Sequence, residues 1–498
     1  MQIHPEGGRQ ISLRRLLPEA EFHGAGDVSV DSCSCDSRRV RPGDLFVALP
    51  GSTCDGHDFA AEAARRGASA VLAQRPPSGI AVPVCQVSNV RAAYARLCQA
   101  LAGNPSDQLC TIGVTGTNGK TTTTCLIASV LSEAGHRVGL LGTLGGYDGL
   151  DFHGSSLTTP PPHELAAWLA RTAANGCSHA VLEVSSHALD QSRIAGIALD
   201  AACVTNVARD HLDYHRSILD YRMTKSRLLD YLSGEGFAVI NADDSTSASY
   251  LAEITGPVLT VAIRSAAEIS ATLIEQYASE QTFLLTAGSE TLPVRTRMIG
   301  THHVYNCLIA AAVGLAYGID LVTVVKGLEA VEHVPGRLER LECGQPFGVF
   351  VDYAHTPDAL TWSLRTLREV VGGRLICVFG AGGDRDKEKR PLMARAVETA
   401  ADLAVVTTDN PRTEPTEVIQ KDILLGFQHP EAVEVIPDRA AAIHWALDEA
   451  QPGDCVLIAG KGHEKHQLIG TERIPFDDRE VARQWLYEMQ PAGVSGEW

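Results

Sequence analysis

The segment GVTGTNGKTTTT, residues 113–124, runs from an apolar stretch into a glycine-rich turn, a lysine and a row of threonines. Backbone N–H groups of such a loop, with the start of the helix that follows, make a concave anion site. A lysine there reaches the outer phosphates of a nucleotide, and the next hydroxyl suits magnesium. Gly116, Thr117, Asn118, Gly119, Lys120, Thr121 and Thr122 are therefore candidate nucleotide-binding residues. The strict phosphate-loop pattern would put its first glycine where this chain has Val114, and the glycine present is Gly113, so the loop is a variant. A glycine-rich turn that binds nothing has no need of Lys-Thr at that point. Farther on, HAVLEV (179–184) puts Glu183 at a strand end, where a carboxylate can face the same phosphates through a hard cation. Alone, a strand-end glutamate is an ordinary solvated residue; downstream of a phosphate loop it becomes a metal candidate.

A second concentration is TTDNPRTEP, residues 407–415, directly after the apolar run Leu403-Ala404-Val405-Val406. It reads as a turn opening a helix, since Asn410-Pro411 and Thr413 followed by Glu417 resemble capping chemistry. It also places Asp409 and Arg412 beyond a strand end, where α/β sheets bind ligands. The two roles are compatible.

The elements needed to hold these residues are legible in outline. Residues 1–108 are mixed, with a strand pattern in DLFVALPG (44–51) and a helix then strand in DFAAEAARRGASAVLA (58–73). The helix pattern AYARLCQALAGNPS (93–106) stops at Gly-Asn-Pro and marks a boundary. From 109 to 335 strand and helix patterns alternate, which predicts a parallel sheet covered by helices, and 257–297 reads as an antiparallel extension. After HVPGR (333–337), the runs FGVFVDYA, RLICVFG, LAVVTT and CVLIAG predict a second open α/β unit over 336–498. At 498 residues the chain is too long for one core, and three domains are expected.

The formal charge of −18 disfavours binding to nucleic acid or anionic membranes, which depends on basic surface. The 13 cysteines are scattered singly through apolar segments, and the nearest pair, Cys33 and Cys35, lacks zinc-site spacing. They read as buried thiols of a reducing cytoplasm. MQIHPEGGRQISLRRLLPEA has no leader-like apolar stretch, and the near-apolar run 307–319 is too short to span a bilayer.

GTNGKTTT, EVSSHALDQSR (183–193), TNVARDHLDYH (205–215), DYAHTPDAL (352–360) and GKGHE (460–464) follow one another in this order. Together, and with Asp36-Ser37-Arg38 upstream, they resemble the Mur ligase family, ATP-dependent amide-forming enzymes that build the peptidoglycan stem peptide. The resemblance covers nearly the whole chain. It implies an α/β protein of three domains, with a central P-loop-type, mostly parallel sheet and a C-terminal Rossmann-like open sheet. Residues 1–108 would bind the UDP-sugar, 109–335 ATP, and 336–498 the incoming amino acid. The implied reaction passes the γ-phosphate of ATP to a substrate carboxylate, and an amine then displaces phosphate from the acyl phosphate.

By family position Lys120 is catalytic, Thr121 and Glu183 would hold one magnesium, and His211 would help hold a second. Lys225, in YRMTKSRLLDYL, reads from pattern alone as a snorkelling surface lysine; in the family its counterpart is carbamylated (N6-carboxylysine) and becomes an anionic magnesium ligand. Asn306, Arg337, Asp352 and His355 would complete the ATP site. His303 stands where relatives usually carry Asn and is left out of the site. The UDP-sugar peptide would meet Ser37, the loop Ser52-Thr53-Cys54, Thr158, Thr159, Ser185, Gln191 and Arg193. Thr158-Thr159 also reads as a turn entering Pro160-Pro161-Pro162, and Arg193 as a helix-end cap.

The resemblance is to the diaminopimelate-adding members, in which Arg385, Asp409, Asn410, Pro411, Arg412, Gly460 and Glu464 would form the amino-acid pocket. Diaminopimelate differs from lysine by a second carboxylate beside its far amine. An arginine can take that carboxylate bidentately, and an acid the ammonium. The implied substrates are ATP, UDP-N-acetylmuramoyl-L-alanyl-D-glutamate and meso-diaminopimelate, with two Mg2+ ions, and a cytoplasmic monomer is expected. Two alternatives remain at this point: a folylpolyglutamate synthase-like ligase, and a nucleotide-binding scaffold without activity.

Overall fold

The computed structural model describes residues 10–51, 54–155 and 157–488. Among these, the strands form sheets of five, eleven and six strands and two two-stranded ribbons. The five-stranded sheet lies within residues 21–86, in the order Glu21–His23, Val84–Gln86, Ala70–Ala73, Leu45–Val47, Cys33–Ser34. Its strands are parallel except the first.

The eleven-stranded sheet has Cys110–Thr115 near its centre, between His179–Glu183 and Leu199–Val204. Pairing is parallel from Val138–Gly142 across to Ile269–Gln276. The strands Gln281–Ala287 and Glu290–Thr296 then add antiparallel pairs, so the antiparallel extension expected over 257–297 holds only for its later part, Val258–Ala262 pairing parallel with both neighbours. The register sets Glu183 opposite Val114, so the metal candidate and the phosphate loop leave the same edge of the sheet. Helix Lys120–Glu133 buries Leu126, Ile127, Val130 and Leu131 against helix Thr301–Ala316 and the sheet. Each such side chain taken fully from water contributes about 1.5–3 kcal/mol. The burial fixes the helix axis, and with it the direction in which the helix N-terminus points.

The six-stranded sheet orders Glu339–Arg340, Gly348–Asp352, Cys455–Ala459, Leu375–Phe379, Leu403–Val406, Glu434–Val435. The last five are mutually parallel. Continuous apolar runs are what strands covered on both faces require. The sheet accordingly has one core on each side, built around Leu364, Leu375 and Met393, and around Ile443, Val456 and Ile458. Its carboxyl ends release the loops that begin at Tyr353, Gly380, Thr407 and Gly460 at one edge. No disulfide joins the cysteines, most of which are buried. Among the described residues no helix is long and apolar enough to cross a membrane.

Candidate nucleotide and amino-acid site

A cleft of about 350 Å³ opens at the carboxyl edge of the central sheet. It is lined by Thr117, Asn118, Gly119, Lys120, Thr121 and Thr122, and by Glu183, His211 and Lys225. Asn306, Arg337, Asp352 and His355 complete that wall, so thirteen residues far apart in sequence meet in one space. Gly119 has φ +84°, and a Cβ there would sit 2.4 Å from Asn306 Oδ1, so the turn needs a residue without a side chain. Gly116 does not line the cleft; its carbonyl accepts from Lys120 Nζ at 2.9 Å and from Lys225 Nζ at 2.7 Å. The strict register of the loop is immaterial to this geometry, since Gly113 lies inside the strand.

Glu183 is buried, and its carboxylate accepts from Thr121 Oγ1 at 3.1 Å, Thr143 N at 2.8 Å and Thr143 Oγ1 at 3.0 Å. The hydroxyl and carboxylate picked from sequence as a cation pair are thus adjacent. Thr143 was not anticipated, although its place just beyond strand Val138–Gly142 is a strand-end signal of the same kind. Arg337 reaches over from beside the C-terminal sheet: its Nη2 donates to Thr121 Oγ1 at 2.9 Å and its guanidinium lies 4.6 Å from the Tyr353 ring centroid. Its Nε is buried without a partner.

Lys225 corrects the surface-lysine reading of its segment. On helix Ile218–Ser226, Tyr221, Thr224 and Lys225 are buried, while Leu219 and Met223 are 63% and 61% exposed. Burial, reinforced by the charge of Lys120, pushes the Lys225 ammonium well below the ordinary lysine value. Its amine is therefore held toward the neutral, nucleophilic form. Burial also lowers His211, with Asp210 beside it opposing the shift, and leaves the imidazole neutral at pH 7. His211 takes a left-handed φ of +54°, and its backbone N–H is held by Asp210 Oδ1 at 2.8 Å. Asp352 is pushed upward by burial, and its carboxylate is engaged with Ser363 Oγ and Leu338 N. His303, set aside from sequence, lines the same cleft, buried, with its ring centroid 4.2 Å from that of His302 and tilted to it by 42°.

The candidates for the sugar-peptide divide. Thr158 and Ser185 line the cleft, and Thr158 Oγ1 lies 3.0 Å from Thr143 Oγ1. Thr159 is buried and ties Glu183 O to Ser185 N, and Arg193 holds Thr159 O and Gln191 Oε1. These three brace the cleft wall without lining it. Ser37 lies in the N-terminal unit, bonded to Glu62 Oε2 at 3.1 Å, also outside the cleft lining. Ser52 and Thr53 fall outside the described residues, and Cys54 is exposed.

The amino-acid candidates gather at the edge of the C-terminal sheet. Asn410 Nδ2 donates to Glu464 Oε2 at 2.8 Å, although 54 residues separate them. Gly460 has φ +114°, and a Cβ there would lie 2.6 Å from Asp409 Oδ2, so the two loops touch at this glycine. Burial works against ionisation of Asp409, but Lys461, Arg439 and the Asn410 N–H outweigh it and hold the carboxyl below its usual range. Arg412 donates to Gly383 O at 2.8 Å, and Pro411 O accepts from Glu414 N. Arg385 is exposed; burial first, and then the nearby charge of Arg385, lower the Arg412 guanidinium from its ordinary value. The cluster adjoins the cleft: Gly460 N donates to Asp352 O at 3.0 Å, and Lys389, Asp210 and Asp409 all act on His355.

Comparison with known proteins bears on the family and the fold. The Mur ligase middle domain matches residues 114–314, the Mur ligase glutamate ligase domain residues 336–462, and the Mur ligase family catalytic domain residues 29–101. The UDP-N-acetylmuramoyl-L-alanyl-D-glutamate--2,6-diaminopimelate ligase of Geobacillus thermodenitrificans is 43% identical over 96% of this chain and 99% of its own length. A solved structure of a ligase of the same name superposes with a TM-score of 0.69 at 32% identity, covering 97% of this chain and all of that one. Mycobacterium tuberculosis folylpolyglutamate synthase, solved with ADP and AMPPCP, shares the fold over 74% of this chain and 92% of its own, with a TM-score of 0.59 at 20% identity. With matches in all three segments and relatives above 40% identity over nearly its full length, the chain belongs to the Mur ligase family.

Proposed function

We propose that this chain is an ATP-dependent ligase that joins meso-diaminopimelate to UDP-N-acetylmuramoyl-L-alanyl-D-glutamate in peptidoglycan precursor synthesis. The observation that carries the reading is the contact between two sites. A phosphate cleft with Lys120, Thr121 and Glu183 abuts, through Asp352 and Gly460, a cluster that contains a cation, Arg412, and an anion, Glu464, near enough for their charges to interact. A ligase needs such adjacency, because the acyl phosphate formed on one side must be met by an amine held on the other.

In this reading residues 1–108 bind the UDP-sugar, 109–335 ATP, and 336–498 the amino acid. Thr117 through Thr122 hold the phosphates, Gly116 supports Lys120 and Lys225 through its carbonyl, and Asn306, Arg337, Asp352 and His355 frame the nucleotide. Ser37, Thr158 and Ser185 meet the sugar-peptide, with Thr159, Gln191 and Arg193 as their support. Lys120 and Arg337 face the transferring phosphoryl group, where charge develops and fixed cations stabilise it. Arg385 and Arg412 receive the distal carboxylate of diaminopimelate, and Asp409, Asn410, Pro411, Gly460 and Glu464 shape the rest of its pocket. The enzyme acts in the cytoplasm as a monomer.

The donor set suits magnesium. Thr121 and Glu183 are oxygen ligands already in contact, and no three His, Cys, Asp or Glu side chains among the described residues converge into an all-protein cage. That is the pattern for a cation completed by substrate phosphates. His211 and Lys225 would hold a second ion once the neutral Lys225 amine has added to carbon dioxide, forming the N–C bond, losing one proton and gaining two oxygens that share one negative charge. Magnesium neutralises phosphate charge when bound. The chain's own part is to fix the phosphates, orient the carboxylate and admit the amine.

The decisive assay follows phosphate release from purified protein given ATP, magnesium and the UDP-muramoyl dipeptide with diaminopimelate, lysine or glutamate. Release with diaminopimelate alone is expected. Release with glutamate would favour the folylpolyglutamate synthase-like chemistry, and no release with any of them a scaffold.

A further inference from the structure

The GKGHE loop contains a cation that the reaction above leaves without a task. Lys461 is completely buried, an expensive place for an ammonium unless all its hydrogens are matched. They are: Nζ donates to Asn410 Oδ1 at 3.1 Å, to Glu464 Oε2 at 2.9 Å and to His466 O at 2.7 Å. Asn410 closes the ring by donating to the same Glu464 oxygen, while its own Oδ1 also accepts from Leu468 N at 2.9 Å. Glu464 Oε1 stays outside this network, on a side chain that is 24% exposed.

The surrounding backbone is held as tightly. Arg439, paired with Asp478 at 2.7 Å with both side chains fully buried, donates to Ala459 O at 2.9 Å and Thr408 O at 3.4 Å. It thus ties together the starts of the two loops that carry Asn410 and Glu464. Gln467 Nε2 donates to Asp409 O at 3.0 Å from the neighbouring hairpin. Within this frame Lys461 ties the side chains of Asn410 and Glu464 to one another.

We infer that Lys461 is a positioning residue for the incoming amino acid. It binds one oxygen of Glu464 and the amide of Asn410, so that the other Glu464 oxygen is presented to the substrate ammonium without rearrangement. This rests on the reading of Asn410 and Glu464 as pocket residues. Pre-organisation of this kind acts on substrate affinity rather than on the chemical step.

The test is a double-mutant cycle in the full-length enzyme with Lys461→Met, Glu464→Gln and the combination. Lys461→Met should raise KM for diaminopimelate about tenfold to a hundredfold, the range expected for hydrogen bonds to a charged group. KM for ATP, which reports an intact cleft, should stay within about twofold, since that site makes no use of the lysine. Because Lys461 acts through Glu464, the double variant should be no worse than Glu464→Gln alone. Lys461→Gln, which retains an N–H group for Glu464, should fall between wild type and Lys461→Met, and it carries the same test if the methionine variant does not fold. An unchanged KM for diaminopimelate in the Lys461 variants, with a raised one in Glu464→Gln, overturns the proposal. So do independent, multiplying effects in the cycle. An unchanged KM in Glu464→Gln refutes the pocket assignment itself, and the role of Lys461 with it.

Discussion

Arg412 shows how much of a single residue's role lies in its backbone. Its φ of +53° falls in the left-handed region, which costs a non-glycine residue about 1–2 kcal/mol. The conformation persists because the hairpin holds it from both sides: Arg412 N donates to Leu468 O at 3.0 Å, and Gly470 N donates to Arg412 O at 2.7 Å. The side chain is then carried by a fixed backbone rather than a mobile loop. If it takes the carboxylate that separates diaminopimelate from lysine, lysine leaves the guanidinium unpaired in a half-buried site. Arg412→Ala should therefore lower kcat/KM for diaminopimelate by about tenfold to a hundredfold and that for lysine far less. Equal losses for both amino acids would remove Arg412 from the specificity argument.

At the scale of elements, the edge of the central sheet depends on one carboxylate. Asp148, in the turn between the short strands Gly145–Tyr147 and Phe152–His153, accepts from Asp151 N at 2.9 Å, Leu150 N at 3.2 Å and His153 Nε2 at 3.1 Å. It also accepts from Arg171 and Asn175 of the neighbouring helix and its end. Burial alone would raise this carboxyl, but those donors together outweigh it and bring it down to about 2. A carboxyl depressed on folding adds stability that is complete above its ordinary value, 3.8, and is lost as pH falls toward the folded value. The melting-temperature difference between wild type and Asp148→Asn should thus be largest near neutral pH and narrow as the pH drops from about 5 to about 3. A difference independent of pH over that range would mean that the ionised form is not what braces the hairpin.

For the molecule as a whole, the candidate site groups are divided between two sheets. Lys120, Thr121, Glu183, His211 and Lys225 come from the central sheet, and Asp352, His355 and the amino-acid cluster from the C-terminal one. Arg337 already spans the gap to Thr121, and Arg209 approaches Glu388 at 3.6 Å. Polar contacts of this kind suit parts that move relative to each other. Ligands that touch both should favour the closed arrangement, since only differential contacts shift such an equilibrium. Small-angle scattering should show a smaller radius of gyration once a non-hydrolysable ATP analogue and the UDP-muramoyl dipeptide are added. An unchanged curve would count against closure.

The sequence by itself determined the phosphate loop, the strand ends that follow it and the division into sheets. These depend on local rules: glycine where φ must be positive, lysine and threonine beside phosphate, apolar runs where strands are covered on both faces. It also carried enough ordered motifs to place the chain in its family. What it could not fix are facts about faces and partners. Helix Ile218–Ser226 exposes Leu219 and Met223 and buries Lys225, the reverse of what its pattern suggests, because the loop at Gly116 draws the lysine inward. Thr143 reaches Glu183, Arg193 turns to Thr159, and Lys461 binds Asn410 across a gap that no periodicity encodes. Periodicity reports which residues share a side, but hydrogen bonding between segments decides which side is inside and what waits there. That decision belongs to the tertiary structure, because these buried polar groups take their partners from distant parts of the chain.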